Sequence, residues 1–138
     1  MFAAFRAIPL LLIPAILYGV VASTMDHAAV RASLDQAFIS WVLPSGAMLV
    51  VTRGHAMTML AAGLLFVEIV KSTRATGLAM LENGLALLSF SVALGFFLLV
   101  PQFGTIEFAL IMVMMLIDFM AGFIVMAITA RRDAAWHG

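Results

Sequence analysis

The sequence predicts an all-α membrane protein: a bundle of four transmembrane helices with an extracytoplasmic β-hairpin between helices 1 and 2. Of its 138 residues, 65% are hydrophobic and only 10% are charged, whereas a soluble domain is about half apolar and about one quarter charged. The hydrophobic residues form long runs separated by short polar segments. Runs of about 20 residues are long enough to cross a hydrocarbon core of roughly 30 Å as helices. We therefore expect a single integral membrane domain over residues 1–138.

The composition excludes several classes of function. The formal net charge is zero, so the chain lacks the basic surface that binds nucleic acid. It contains no cysteine, which excludes disulfides, thiolate metal sites and thiol redox chemistry. The sequence also has no Ser-His-Asp pattern, no phosphate-binding glycine-rich loop and no His-Glu-x-x-His motif. We expect no enzymatic activity and no cofactor.

Helix 1 is predicted over residues 5–24, where an apolar run follows Arg6. Pro9 and Pro14 can kink this helix, which a bilayer helix tolerates because neighbouring groups satisfy the freed carbonyls. A positive start, an apolar run and small residues before Ser23 also fit a cleavable signal peptide. We favour a retained transmembrane helix.

A polar, amphipathic segment at residues 25–37 precedes the hairpin, which is predicted over residues 38–52. The turn is Leu-Pro-Ser-Gly at residues 43–46, and proline at the second position with glycine at the fourth suits a type I turn. The flanking segments are β-branched and aromatic. We expect the hairpin to lie on the membrane surface against the helix ends or a partner, because an isolated hairpin is marginal in water. A fifth, short membrane helix is the alternative.

Helices 2, 3 and 4 are predicted over residues 54–74, 76–100 and 105–131, with a tight turn at residues 101–104. Lysine and arginine favour the cytoplasmic side of a membrane. Both the four-helix and the five-helix arrangement satisfy this rule equally well, and both place Lys71, Arg74 and the C-terminus inside. Turn chemistry and segment length favour four helices with both termini cytoplasmic.

Asp118 lies midway along predicted helix 4, with apolar residues on both sides. A charge at that depth costs at least about 2.5 kcal/mol, so we expect Asp118 to face the bundle and to have a partner. Counting residues from the cytoplasmic helix ends places Asp118 at the same membrane depth as Tyr18, Ser89 and Ser91. We predict a hydrogen bond to Tyr18 or to one of the serines. The position fits both a packing carboxyl, which we favour, and a proton-titrating transport site.

A charged corner joins predicted helices 2 and 3. Glu68 and Lys71 are three residues apart, a spacing that allows an ion pair on one helix, and Glu82 can reach Arg74 across the corner. We favour a structural ion-pair cluster that holds the turn. The functional alternative is a cytoplasmic site for an anionic headgroup or a partner protein.

His27, His55, Met57 and Met59 gather near the expected outer surface. Imidazole and thioether groups suit Cu(I), which makes these residues candidates for a copper site. The chain has 11 methionines, however, and methionine is a common packing residue in hydrophobic cores. We therefore favour packing and predict no metal.

Five short segments contain charges that are costly near a membrane or residues with special backbone geometry. They are LPSGA at 43–47, EIVKSTR at 68–74, Glu82-Asn83, DFMAG at 118–122 and ARRD at 130–133. With these segments the chain resembles a group of small uncharacterised four-helix inner-membrane proteins of proteobacteria, over most of its length from about Phe38. The resemblance implies a bacterial inner membrane and implies no activity.

The expected function is that of a non-enzymatic accessory or scaffold subunit, which associates with a larger membrane complex or with itself. The chain is short and has few polar groups in its apolar runs. The alternative is a small proton- or cation-coupled transporter or channel that uses Asp118 with Glu68 and Glu82. A lipid- or quinone-binding enzyme would need a catalytic group that the sequence does not supply.

Overall fold

The computed structural model describes residues 8–73 and 78–136. Within these ranges the chain forms five α-helices and one antiparallel hairpin, in the order α1 (Leu12–Ser23), α2 (His27–Leu34), β1 (Ala37–Val42), β2 (Met48–Thr52), α3 (Arg53–Ser72), α4 (Ala79–Leu99) and α5 (Ile106–Trp136). A 3-10 turn, Pro101–Phe103, joins α4 to α5. We call the end of the bundle where β2 meets α3 the hairpin end.

Three helices are long and apolar enough to cross a membrane: Arg53–Ser72, Ala79–Leu99 and, within α5, Ile106–Arg132. Between 11% and 22% of the most apolar window of each helix is buried inside the chain. Most of their apolar surface is therefore left for lipid. These three helices are those of a membrane-embedded protein.

Helix α1 is shorter than the prediction of residues 5–24. It begins at Leu12 and has 12 residues, which corresponds to roughly 18 Å. Pro14 lies in its first turn, where the missing N–H of proline would have no intrahelical partner in any case, and Pro9 precedes the helix. The prolines therefore mark the start of the helix and do not kink it. Residues 5–7 lie outside the described residues.

Helix α5 occupies the centre of the bundle, because it packs along both α3 and α4. Helix α1 contacts α3, α5 and the 3-10 turn. Alanines lie buried at the helix contacts, Ala61 on α3 and Ala93 on α4. Small residues at these positions allow close helix packing, as is common between membrane helices.

The hairpin has the predicted position and turn. The alternative prediction, a fifth short helix in this segment, is wrong. β1 and β2 pair antiparallel, with Trp41 opposite Leu49. In the turn, the Gly46 N–H donates to the Leu43 carbonyl, and the Leu43 N–H donates to the Ala47 carbonyl, each at 2.8 Å. Gly46 has a φ of +83°, a left-handed conformation that glycine adopts without steric cost. The loop is thus a type I turn closed by a left-handed residue.

Candidate functional site

Glu68 is buried between α1 and α3 with 3% of its surface exposed. Its Oε2 lies 2.8 Å from Lys71 Nζ, which is the ion pair expected from their spacing. Its Oε1 accepts a hydrogen bond from the Leu10 N–H. The residue before α1, Leu11, supplies no side-chain cap, so Glu68 brings an acceptor and a negative charge to the start of α1, where both are favourable.

Asp118 is also buried, with 8% of its surface exposed. At 1.5 Å per residue, Asp118 and Glu68 lie roughly 18 Å and 22 Å from the hairpin end of their helices. Their similar depths, on two helices that pack along each other, place Asp118 near the Glu68–Lys71 ion pair. The fold therefore joins two features that the sequence treats separately, and we call Glu68, Lys71 and Asp118 the carboxylate cluster.

The predicted hydrogen bond from Asp118 to Tyr18, Ser89 or Ser91 is wrong. The Tyr18 hydroxyl donates to the Gln102 carbonyl at 2.9 Å. Ser89 and Ser91 each donate to the carbonyl four residues earlier on α4, at 2.7 and 2.8 Å, as serines in helices often do. Tyr18 is only roughly 8 Å deep, counted from the hairpin end of α1. The predicted depths were counted from the expected cytoplasmic ends of the helices. Because the helices differ in length, residues at equal counts from those ends do not lie at equal depth.

Tyr18 instead fastens α1 to the start of α5. Its ring is 1% exposed and lies 4.9 Å from the ring of Phe108, centroid to centroid. Because its proton goes to Gln102, the hydroxyl accepts from Thr105 Oγ1, 2.7 Å away. The same Thr105 oxygen accepts the Phe108 N–H at 3.3 Å and so caps α5. Tyr18 is a structural anchor at the hairpin end.

One turn beyond Asp118, Gly122 lets α4 approach α5 closely. A Cβ atom at Gly122 would lie 2.7 Å from Asn83 Oδ1. The Asn83 amide therefore lies against the backbone of α5, one helical turn from Asp118. The neighbouring Glu82 is half-buried, and its predicted partner Arg74 lies outside the described residues.

The four candidate copper residues lie in different surroundings. His55 belongs to the cap of α3: its Nδ1 accepts the Thr52 N–H at 3.3 Å, and its own N–H donates to Thr52 Oγ1 at 3.2 Å. Met57 packs against the hydrophobic core, and Met59 is exposed on α3. His27 is half-buried at the start of α2. Across residues 8–73 and 78–136, no group of three or more His, Cys, Asp or Glu could hold a metal ion.

A cavity at the hairpin end contains charged residues that the sequence analysis did not single out. Its volume is about 500 Å³, and it is lined by Arg31 and Asp35 of α2 and by Thr105 and Glu107 of α5, among others. Glu107 packs tightly, because a Cβ atom at Gly54 would lie 2.9 Å from its Cγ and Oε1. The sequence feature that could have indicated this cavity is Glu107, an acidic residue in the first turn of predicted helix 4.

The hairpin exposes large apolar side chains on both faces. All six residues of β1 are exposed, and so are the first three of β2. Val42 and Met48, which pair across the strands, are each 69% exposed. We call the following residues the hairpin surface: Phe38, Ile39, Trp41, Val42, Met48, Leu49 and Val50.

Comparison of the chain with protein-family models, with curated proteins and with solved structures finds no match. The carboxylate cluster and the hairpin surface are the two features of the described residues from which we propose a function.

Proposed function

We propose that the protein is a non-enzymatic accessory or scaffold subunit of the bacterial inner membrane, which associates through its hairpin with a larger membrane complex or with itself. The hairpin surface carries this proposal. Monomeric proteins rarely expose contiguous apolar patches, and patches that are exposed commonly mark interaction sites. A two-stranded hairpin is marginally stable in water on its own, so a partner that covers these residues would also stabilise the strands.

In this proposal four helices cross the membrane, both termini are cytoplasmic and the hairpin is extracytoplasmic. The distribution of positive charge supports this orientation. Lys71 follows the apolar part of α3, and Arg131 and Arg132 follow that of α5. Only Arg31 and Arg53 belong to the segments around the hairpin, counted over the described residues. Reporter fusions at both termini test the orientation, and an extracytoplasmic C-terminus would contradict it.

Extraction of the protein into lipid nanodiscs directly from native membranes tests the association. We expect particles that contain more protein than one 14.8 kDa chain. The double variant Val42→Ser, Met48→Ser removes apolar surface from one face of the hairpin and should give single chains. The matched control is Leu88→Ser, on an exposed position of α4, which should leave the assembly intact. Single wild-type chains in such nanodiscs would contradict the proposal.

A second candidate function is proton- or cation-coupled transport, and the carboxylate cluster supports it. Ionisable groups inside a membrane commonly mark ion or proton pathways. Here the buried Asp118 lies at a depth similar to that of the Glu68–Lys71 ion pair, deep in the bundle.

Flux measurements in liposomes test this candidate. Asp118→Asn should abolish proton or cation flux, because the amide cannot exchange a proton or carry a charge. Glu107→Gln, which changes an acid at the hairpin end, is the control and should conduct normally. Equal flux through wild type and Asp118→Asn would dismiss the site.

A further inference from the structure

We infer that the hairpin joins two copies of this chain, which pair edge to edge through β1 about a twofold axis and form a four-stranded sheet. This inference rests on the proposed function and narrows its partner to a second copy.

The free edges of the hairpin show why lipid alone does not suffice. Paired residues of an antiparallel ladder share a face, and successive residues alternate. Trp41 and Leu49 therefore lie on one face, and Val42 and Met48 lie on the other. A bilayer surface beneath the hairpin covers one of these apolar faces and leaves the N–H and C=O groups of the strand edges unpaired. Insertion into the hydrocarbon core is excluded, because the unpaired N–H and C=O groups of both strand edges would lose their water.

The free edge of β1 is the more accessible one. Every residue of β1 is exposed, whereas the last two residues of β2 are half-buried where α3 begins. Edge strands are usually protected by charges, prolines or bulges. In β1 there is neither a charge nor a proline, and the ladder irregularity is confined to Ala37–Ile39. Residues 39–42 thus form an unprotected edge.

The hydrogen-bond pattern of the hairpin indicates which groups are free. The Leu43 N–H donates to the Ala47 carbonyl, and hydrogen-bonded pairs alternate with non-hydrogen-bonded pairs along an antiparallel ladder. Trp41 is therefore bonded to β2, and Ser40 and Val42 direct their N–H and C=O groups outward. Two such edges match when Ser40 of one copy bonds Val42 of the other.

Charge and symmetry favour a second copy as the occupant. Residues 37–52 contain no charged side chain, so two identical hairpins approach without like-charge repulsion. Antiparallel pairing of β1 with itself is a closed, isologous contact. It places the two copies of Trp41 opposite each other on either side of the twofold axis, at a Cα separation of about 4.5 Å. The sheet then has four strands, above the minimum of about three for independent stability.

Single-cysteine crosslinking in native membranes tests this geometry, because the chain has no cysteine of its own. Trp41→Cys should form a disulfide-linked dimer on oxidation, since Cα atoms about 4.4–6.8 Å apart can be bridged. Leu49→Cys is the matched control. Leu49 pairs with Trp41 on the same face, but three strand spacings of about 4.8 Å would separate the two copies of residue 49. Leu49→Cys should therefore give no disulfide-linked dimer.

A second pair of variants keeps the test valid if the cysteine disturbs the contact. Ser40→Pro removes an outward N–H of β1 without removing a bond between β1 and β2. Val50→Pro makes the same change on β2, opposite Ser40. Counting chains per nanodisc should show loss of the dimer for Ser40→Pro only.

Equal crosslinking of both cysteine variants, or a dimer that Ser40→Pro leaves intact, would overturn the inference. A hairpin that crosslinks only to a different protein would overturn it too, while the accessory function would stand. Single wild-type chains with no partner at all would contradict both proposals.

Discussion

The hairpin surface and the carboxylate cluster place side chains in opposite environments. The hairpin exposes apolar groups outside the three membrane-length helices, and the cluster buries charged groups between helices. The charge of Glu68 is compensated within the chain, by Lys71 and the Leu10 N–H. Within the described residues, much of the apolar hairpin surface is not covered by any other part of the chain. The comparison teaches that the cluster is satisfied within the single chain, whereas the exposed hairpin is the region to which we assign association in our proposal.

The largest effect on stability is expected from Glu68→Ala. It leaves the Leu10 N–H and the Lys71 ammonium, whose side chain is 26% exposed, without their acceptor. A hydrogen bond to a charged group contributes about 1.5–3 kcal/mol, so loss of the two contacts predicts a cost of about 3 kcal/mol. Glu68→Gln keeps an acceptor for Leu10 and should lose less. Reversible unfolding in mixed detergent micelles measures both. If Glu68→Ala changed the oligomeric state and not the unfolding free energy, the distinction between the two regions would fail.

A smaller loss is expected from Tyr18→Phe, which keeps the aromatic packing and removes one hydroxyl. The Gln102 carbonyl and the buried Thr105 hydroxyl then lose a partner, at a cost of about 1–3 kcal/mol. Ser91→Ala is the control: its exposed hydroxyl bonds only its own helix, and its removal should change stability by less than about 0.5 kcal/mol. Equal values for the two variants would refute the role of Tyr18 as an anchor.

Gly122→Ala should be less favourable in the wild-type background than in an Asn83→Ala background by about 1 kcal/mol, because overpacking against Asn83 offsets the gain in helix propensity from glycine to alanine. The added Cβ would contact Asn83 Oδ1 at 2.7 Å. Asn83→Ala removes this contact, so the double variant should recover part of the loss. A double-mutant cycle on the unfolding free energy measures the coupling. Additive effects would show that α4 and α5 do not meet at this glycine.

The smallest effect on stability is expected from Trp41→Thr. The tryptophan is 60% exposed, and substitutions at such positions usually change stability by less than about 0.5 kcal/mol. The unfolding free energy of dissociated chains in detergent should therefore stay near that of wild type, while the assembly in native nanodiscs weakens. A large loss of single-chain stability would show that the hairpin is part of the folded core.

Local chemistry explains the elements that the sequence predicted well. Pro44 and Gly46 define the hairpin turn through their own backbone preferences, and the spacing of Glu68 and Lys71 on one helix suffices for their ion pair. Pro14 was misjudged for a local reason as well: it suits a first turn better than a helix interior. Each of these features involves residues close together in the chain.

Contacts between distant residues depended on helix depth and rotation. The partners of Tyr18 lie more than 80 residues away in the chain, and Leu10 lies 58 residues from Glu68. Counting residues from assumed helix ends gave Asp118 the wrong neighbours, because a difference of a few residues in length changes the depth by several ångströms. The position of Glu107 against Gly54 was not visible for the same reason.

By itself the sequence determined that the chain enters a membrane and where the hairpin turns, because hydropathy and turn preferences act over short stretches of backbone. Only the tertiary structure decided that Asp118 joins Glu68 and Lys71, that Tyr18 fastens α1 to α5, and that both faces of the hairpin stay exposed. These features follow from how the helices are offset and rotated against one another, and that arrangement is a property of the packed bundle as a whole.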